Sequence, residues 1–291
     1  MNPDMKKRID PFVYDQLGAK FVSEYGYIGP CSLETIRDYF DGRPIDRDSE
    51  IWKLHNNNFE KDTVLAGIRK HYPLDTAVLS LEDYILYAGA VHELILGYSL
   101  EAIRFKEQCH GALFWMYNDT WGEVGWTIVD YYLRRKTGFY GVKRAFAPLK
   151  LSMRAADGKL LVQACNDTPE EVSVRAQLGY LSFDGKEARL EPLEIQVPAR
   201  SRRYVYEGPL PDYDAKAGCL AVIPEGAFEP CILRAGDLKD WRLPSDPQLQ
   251  AEVRQEGENA AVTVSSPVYA HLVRVEGDFR CSDNYFDLLP G

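Results

Sequence analysis

Glu24 is the first charged residue at the end of the run Phe21-Val22-Ser23-Glu24-Tyr25-Gly26. A carboxylate at the end of a buried strand can serve as nucleophile, general base or metal ligand. Its bland use is an ion pair with a nearby arginine. A second run, Gly111-Ala112-Leu113-Phe114-Trp115-Met116, leads into Tyr117, Asn118 and Asp119, with Trp121, Glu123 and Trp126 close behind. Indole faces stack on the apolar face of a pyranose, while amides and carboxylates take its hydroxyls. The cluster therefore suits a sugar-binding loop, and it also suits plain packing. His55, His71, His92, His110 and His271 show no ligand spacing, and the cysteines at 31, 109, 165, 219, 231 and 281 form no Cys-x-x-Cys. No metal site is implied, and buried free thiols are the expected state.

The elements that must position these residues change character near Pro148. Before it the period is helical. Ser80-Leu81-Glu82-Asp83 has the form of a capping box, and apolar residues from Leu81 to Phe105 recur at near-helical spacing. Further helices are expected over 60–70 and from Leu33 to Phe40, the latter stopping at Asp41-Gly42. The runs 19–23 and 111–116 are short, apolar and bounded by turn formers, as buried parallel strands are. Two such strands are visible, where a closed parallel barrel needs about eight. The acidic run 46–50 reads as a solvated loop. After Pro148, alternating runs at 150–154, 160–164, 172–181, 193–197, 203–206, 220–223 and 231–234 suggest a β-sandwich, with turns at Asp157-Gly158 and Asp184-Gly185. Runs at 249–254, 260–264 and 270–275 begin another all-β unit. Asn166-Asp167-Thr168 matches an N-glycosylation sequon.

Composition closes off whole classes of function. The 291 residues carry 34 Lys and Arg against 44 Asp and Glu, a formal charge of −10. With no basic run, the chain is a poor fit to a phosphate backbone, so no nucleic-acid partner is expected. No stretch approaches the ~18 apolar residues of a spanning helix, so no membrane partner is expected either. Residues 1–10 lack the apolar core of a signal peptide. At 45% hydrophobic residues the composition is that of a folded chain.

The two strand-end segments resemble glycoside hydrolase family two, nearest its β-mannosidase-like branch. Ser23-Glu24-Tyr25-Gly26 is similar to the family's Ser-Glu-(Phe/Tyr)-Gly nucleophile motif on the seventh barrel strand. Gly111 to Trp121 resembles the branch's eighth-strand motif, Gly-Ala-Leu-Tyr-Trp-Gln-x-Asn-Asp-x-Trp. Trp126, Asp130-Tyr131-Tyr132 and Lys143-Arg144-Ala145-Phe146-Ala147-Pro148 continue it. Ser282-Asp283-Asn284-Tyr285-Phe286-Asp287-Leu288-Leu289-Pro290-Gly291 is similar to a Ser-Asp-Asn-x-Phe-Asp-Leu-x-Pro-Gly signature of the terminal β-sandwich.

The resemblance implies an α/β plus all-β fold. Residues 1–147 would be the C-terminal part of a (β/α)8 barrel, 148–243 an immunoglobulin-like β-sandwich, and 244–291 a partial terminal β-sandwich. It implies retaining hydrolysis of a terminal β-linked sugar, most nearly a β-mannoside, with Glu24 as nucleophile and Trp115, Asn118, Asp119 and Trp121 as substrate-binding residues. No metal and no organic cofactor are implied. The family's acid/base lies in an Asn-Glu dipeptide on the fourth strand, and that dipeptide is absent from this sequence. The chain is therefore expected to be part of a longer glycosidase and inactive alone. Its natural partner would be the missing N-terminal portion, with self-association through the incomplete barrel as another outlet for the uncovered strands. Two other readings stay open on the residues: a non-catalytic carbohydrate-binding module, and a structural β-sandwich module.

Overall fold

The computed structural model describes residues 4–277 and 279–291, and only the backbone of residues 60 and 61. Met1-Asn2-Pro3, which open the segment read above for a signal peptide, lie outside the described residues. The chain divides into two compact units, Met1–Ala147 and Pro148–Gly291.

In the first unit, α1 (Met5–Arg8) and a 3-10 turn (Pro11–Gln16) precede β1 (Val22–Tyr25). Then come α2 (Leu33–Phe40), α3 (Glu50–Leu54), α4 (Glu60–His71), α5 (Leu81–Phe105), β2 (Ala112–Phe114) and α6 (Thr137–Ala145). Local chemistry sets these boundaries. The Ser32 hydroxyl accepts the Thr35 N–H at 3.2 Å to open α2. Asp41 closes it in the left-handed region at φ 49°. The Ser80 hydroxyl accepts the Asp83 N–H at 3.0 Å and donates to the Asp83 carboxylate at 2.8 Å. The helix it opens, α5, is buried on nearly every side from Ala88 to Ile103, and it is the scaffold of the unit. Burial of residues such as Ile95, Leu96 and Ile103 contributes about 1.5–3 kcal/mol each. Among the described residues no helix is long and apolar enough to cross a membrane.

β1 and β2 pair in parallel, Val22 with Ala112 and Tyr25 with Phe114. β1 starts later than the run 19–23 suggested. The His110 N–H already takes the Lys20 carbonyl at 2.8 Å, and the ladder opens with Val22 N–H to Gly111 O at 3.0 Å. The run 46–50 is also only partly loop, because the Ser49 hydroxyl accepts the Trp52 N–H at 3.2 Å and starts α3 at Glu50.

The second unit holds a three-stranded sheet, β3 (Leu149–Ala156), β4 (Lys159–Asn166) and β7 (Ser201–Pro209). A four-stranded sheet runs in the order β6 (Ala188–Val197), β5 (Val172–Ser182), β8 (Gly218–Pro224), β9 (Cys231–Ile232). Leu151, Met153, Leu160 and Val162 of the first sheet pack with Leu178, Ile195, Val197 and Val222 of the second in one buried core, which makes a β-sandwich. The Asp157-Gly158 turn has φ of 50° and 73°, the positive pair that a two-residue hairpin needs. Beyond Leu243-Pro244 follow the hairpin β10 (Gln250–Glu256) and β11 (Asn259–Ser265), then the pair β12 (Ala270–Val273) and β13 (Phe286–Leu288).

The Asn166 amide is fully buried and donates to the carbonyls of Glu170, Val197 and Pro198, while its oxygen accepts from Thr168. A side chain so committed is closed to a glycan, and the sequon is a structural turn. None of the six cysteines is in a disulfide, and four of them are buried.

Candidate active site

The strand ends of β1 and β2 are built to approach each other closely. Three steps along β1, from Val22 to Tyr25, match two along β2, from Ala112 to Phe114. Such an irregularity inserts a residue, and bulges of this kind re-aim a side chain. Val22 is buried while Ser23 and Glu24 are both exposed, so simple alternation is broken where the carboxylate sits. The Trp115 N–H then donates to the Tyr25 carbonyl at 2.6 Å, which docks the tryptophan beside the residue after Glu24. Gly26 allows this approach, because a Cβ there would lie 2.1 Å from the Trp115 carbonyl oxygen. The Trp115–Met116 peptide is cis.

The loop after β2 returns along itself. Met116 N–H donates to Trp126 O at 3.1 Å, Val129 N–H to Tyr117 O at 2.9 Å, and Asp119 N–H to Val129 O at 3.2 Å. Trp115 remains 49% exposed, and Tyr117 and Asn118 are exposed too. Asp119 points the other way. It is 6% exposed and accepts the Thr127 hydroxyl at 2.8 Å, so its carboxylate shapes the loop from within instead of facing outward. Burial pushes its pKa up, and the Lys136 charge and the Thr127 hydroxyl work against that rise. Glu123 is half-buried and is likewise pushed up by burial and by the neighbouring Asp119 charge.

Trp121 combines fixity with exposure. Its indole N–H donates to Leu54 O at 3.0 Å. One face stacks on His55 at 4.6 Å, and His55 stacks in turn on Tyr39 at 4.4 Å. Tyr39 continues the row to Tyr132, at 5.9 Å. The Trp121 ring is nevertheless 56% exposed. Glu24 and Trp115 are thus brought to neighbouring strand ends, Asn118 and Trp121 ride on the same loop, and Asp119 turns inward. Spacing gives no sign of Tyr39 and His55, which hold the loop from distant parts of the chain, or of Thr127 and Lys136, which brace it from further along the same connection. No group of His, Cys, Asp and Glu side chains that could hold a metal occurs among the described residues.

Residues 245–291 match the mannosidase Ig-fold domain family model. Beta-mannosidase B of Aspergillus clavatus is 26% identical over 96% of this chain, and the alignment covers 36% of that protein. Beta-mannosidase B of Emericella nidulans is 30% identical over 49% of this chain and 17% of its own length. The crystal structure of the β-D-mannosidase of Dictyoglomus thermophilum superposes with a TM-score of 0.87 at 26% identity, over 97% of this chain and 35% of that one. An exo-chitosanase from Amycolatopsis orientalis, at 16% identity and a TM-score of 0.66, shares the fold. The chain thus spans about a third of the length of the relatives it matches. With likeness running from the strand ends to the terminal Ig-fold segment, the chain is similar to the C-terminal part of a glycoside hydrolase family two β-mannosidase.

Proposed function

We propose that this chain supplies the nucleophile-bearing part of a retaining exo-β-glycosidase acting on terminal β-mannosides. The observation that carries the reading is the placement of Glu24 and Trp115 at the ends of adjacent parallel strands, on a chain that is similar over nearly all of its own length to about a third of the length of named β-mannosidases. β1 and β2 are read as the last two strands of a (β/α)8 barrel, whose C-terminal strand ends carry active-site residues. Residues 148–243 are read as an immunoglobulin-like sandwich and 244–291 as part of a terminal one.

In this mechanism a Glu24 carboxylate oxygen attacks the anomeric carbon. The glycosidic C–O bond breaks, and its electron pair leaves with the aglycone oxygen. A carboxylic acid about 5–5.5 Å away protonates that oxygen. The same group, now ionised, takes a proton from water, whose oxygen displaces Glu24 and releases the sugar. That acid/base is furnished by a segment outside these 291 residues, so the chain alone does not hydrolyse glycosides. Trp115 presents its indole face to the terminal sugar and Asn118 its amide to a hydroxyl. Trp121 offers a platform further out, and Asp119 acts through the loop it braces. No metal or organic cofactor takes part.

The test is a chimera in which residues 1–291 replace the matching 35% of the Dictyoglomus thermophilum enzyme. It should cleave an aryl β-mannoside, while the 291-residue chain should not. Turnover that survives Glu24→Ala would reject the nucleophile assignment.

A further inference from the structure

Lys136 is 2% exposed, and its place in the fold is unfavourable for a cation. It stands at the N-cap of α6, the end of a helix that repels positive charge. It is also withdrawn from water, and a buried ion is costlier than an apolar side chain of similar volume. Among the described residues no carboxylate lies in ion-pair contact with it. Its three N–H donors find neutral oxygens: Gly29 O at 2.9 Å, Thr127 Oγ1 at 3.1 Å and Gly125 O at 3.4 Å. A cation kept on such terms calls for an explanation in what it joins.

What it joins is the site. Gly29 lies five residues after Glu24 on the segment leaving β1. Gly125 and Thr127 belong to the loop leaving β2. The two segments already meet through the Gly29 N–H and the Gly125 carbonyl at 3.0 Å, and the ammonium caps that junction. Thr127 carries the link onward. Its single hydroxyl proton goes to the Asp119 carboxylate at 2.8 Å, which leaves an oxygen lone pair facing Lys136. The order Lys136 to Thr127 to Asp119 therefore has one polarity, set by a donor with no lone pair at one end and the Asp119 carboxylate oxygen as acceptor at the other. Asp119 stands directly after Asn118 and two residues before Trp121.

We propose that Lys136 is a positioning residue, whose relay through Thr127 to Asp119 fixes the loop bearing Trp115, Asn118 and Trp121 against the strand that bears Glu24. Its importance for catalysis rests on the function proposed above, whereas the coupling itself is a property of this chain. The relay is asymmetric in what it tolerates. Thr127→Val keeps the shape and removes the hydroxyl, Thr127→Ser keeps the hydroxyl, and Lys136→Met keeps most of the stem without the charge.

The test follows the five indole N–H signals of the 291-residue chain by nitrogen-labelled NMR, with no sugar present. Thr127→Val should displace the Trp115, Trp121 and Trp126 signals beyond their linewidths and leave the Trp241 signal in place. Thr127→Ser should return them to their original positions, and Lys136→Met should reproduce the Val pattern. Unmoved loop signals in Thr127→Val would overturn the proposal, as would a Ser variant that behaves like Val. If Lys136→Met does not fold, seen as loss of the buried Trp52 signal, the Val and Ser pair decides. In the chimera, Thr127→Val should lower kcat about tenfold with thermal stability retained. If the signals move but kcat does not, the relay stands and the catalytic reading fails.

Discussion

The chain carries two polar signature segments, and they spend their side chains in opposite ways. At the C-terminus, Asn284 pairs both of its amide functions with the Val275 backbone, at 2.9 and 2.8 Å. Asp287 accepts the Tyr269 hydroxyl at 2.7 Å and the Leu272 N–H at 3.0 Å, and it faces His271 at 2.8 Å and Arg234 at 3.3 Å. Every oxygen is committed to holding β12, β13 and the sandwich together. At the ends of β1 and β2, Glu24, Trp115 and Asn118 stay exposed, while backbone bonds and the Lys136 relay do the holding. A signature that saturates its own polar groups is architecture. One that leaves them outward on a fixed frame is available for chemistry.

Substitutions that break this contrast should differ in kind. The largest effect is expected for Glu24→Ala in the chimera: turnover falls by about 10⁴-fold or more, as for other covalent nucleophiles, with little change in the unfolding midpoint. A fall in stability of similar weight would make Glu24 structural. Asp287→Ala reverses the pattern. Taking this shared carboxylate away from Arg234 and His271 should cost about 3 kcal/mol of stability, read by urea unfolding. Trp115→Ala should weaken sugar binding by about 0.5–1.5 kcal/mol, read as KM in the chimera, with the fold intact.

The Asp287 and Asp119 carboxylates also titrate in opposite directions. At Asp287 burial alone would raise the pKa, but His271, Arg234 and the Leu272 N–H prevail and hold it well below the usual 3.8. Its contribution to stability is therefore present above pH 3.8 and is lost as pH falls through its lowered folded value. At Asp119 burial prevails and the folded pKa is raised above 3.8. The fold favours its protonated form, so its contribution is fullest below pH 3.8 and fades as pH rises through the raised value. Unfolding measured across this range should show the wild type gaining on Asp287→Asn with rising pH and losing ground to Asp119→Asn. Parallel trends would contradict the assignment.

Much of the frame was legible because it is encoded locally. Ser32 and Asp41 bracket α2, Ser80 opens α5, and Asp157-Gly158 turns β3 into β4, each within a few residues of what it controls. The Glu24 and Trp115 segments stood out for the same reason, as apolar runs ending in polar or aromatic groups. The support of the site was not legible, because it is assembled across the chain. Tyr39, His55 and the pair Trp121 and Tyr132 stack from three separate segments. Lys136 meets Gly29 across 107 residues, and nothing in its flanking sequence marks a lysine that folding will bury. The inward turn of Asp119 was hidden too, since Asn118 beside it points outward and the two read alike on paper.

The most direct test of the account is to trap the covalent intermediate. The chimera, treated with a 2-deoxy-2-fluoro-β-mannosyl fluoride and digested, should yield one peptide heavier by a fluoromannosyl group, with the ester on Glu24. A label on any other carboxylate, or turnover with no glycosyl-enzyme formed, would contradict it.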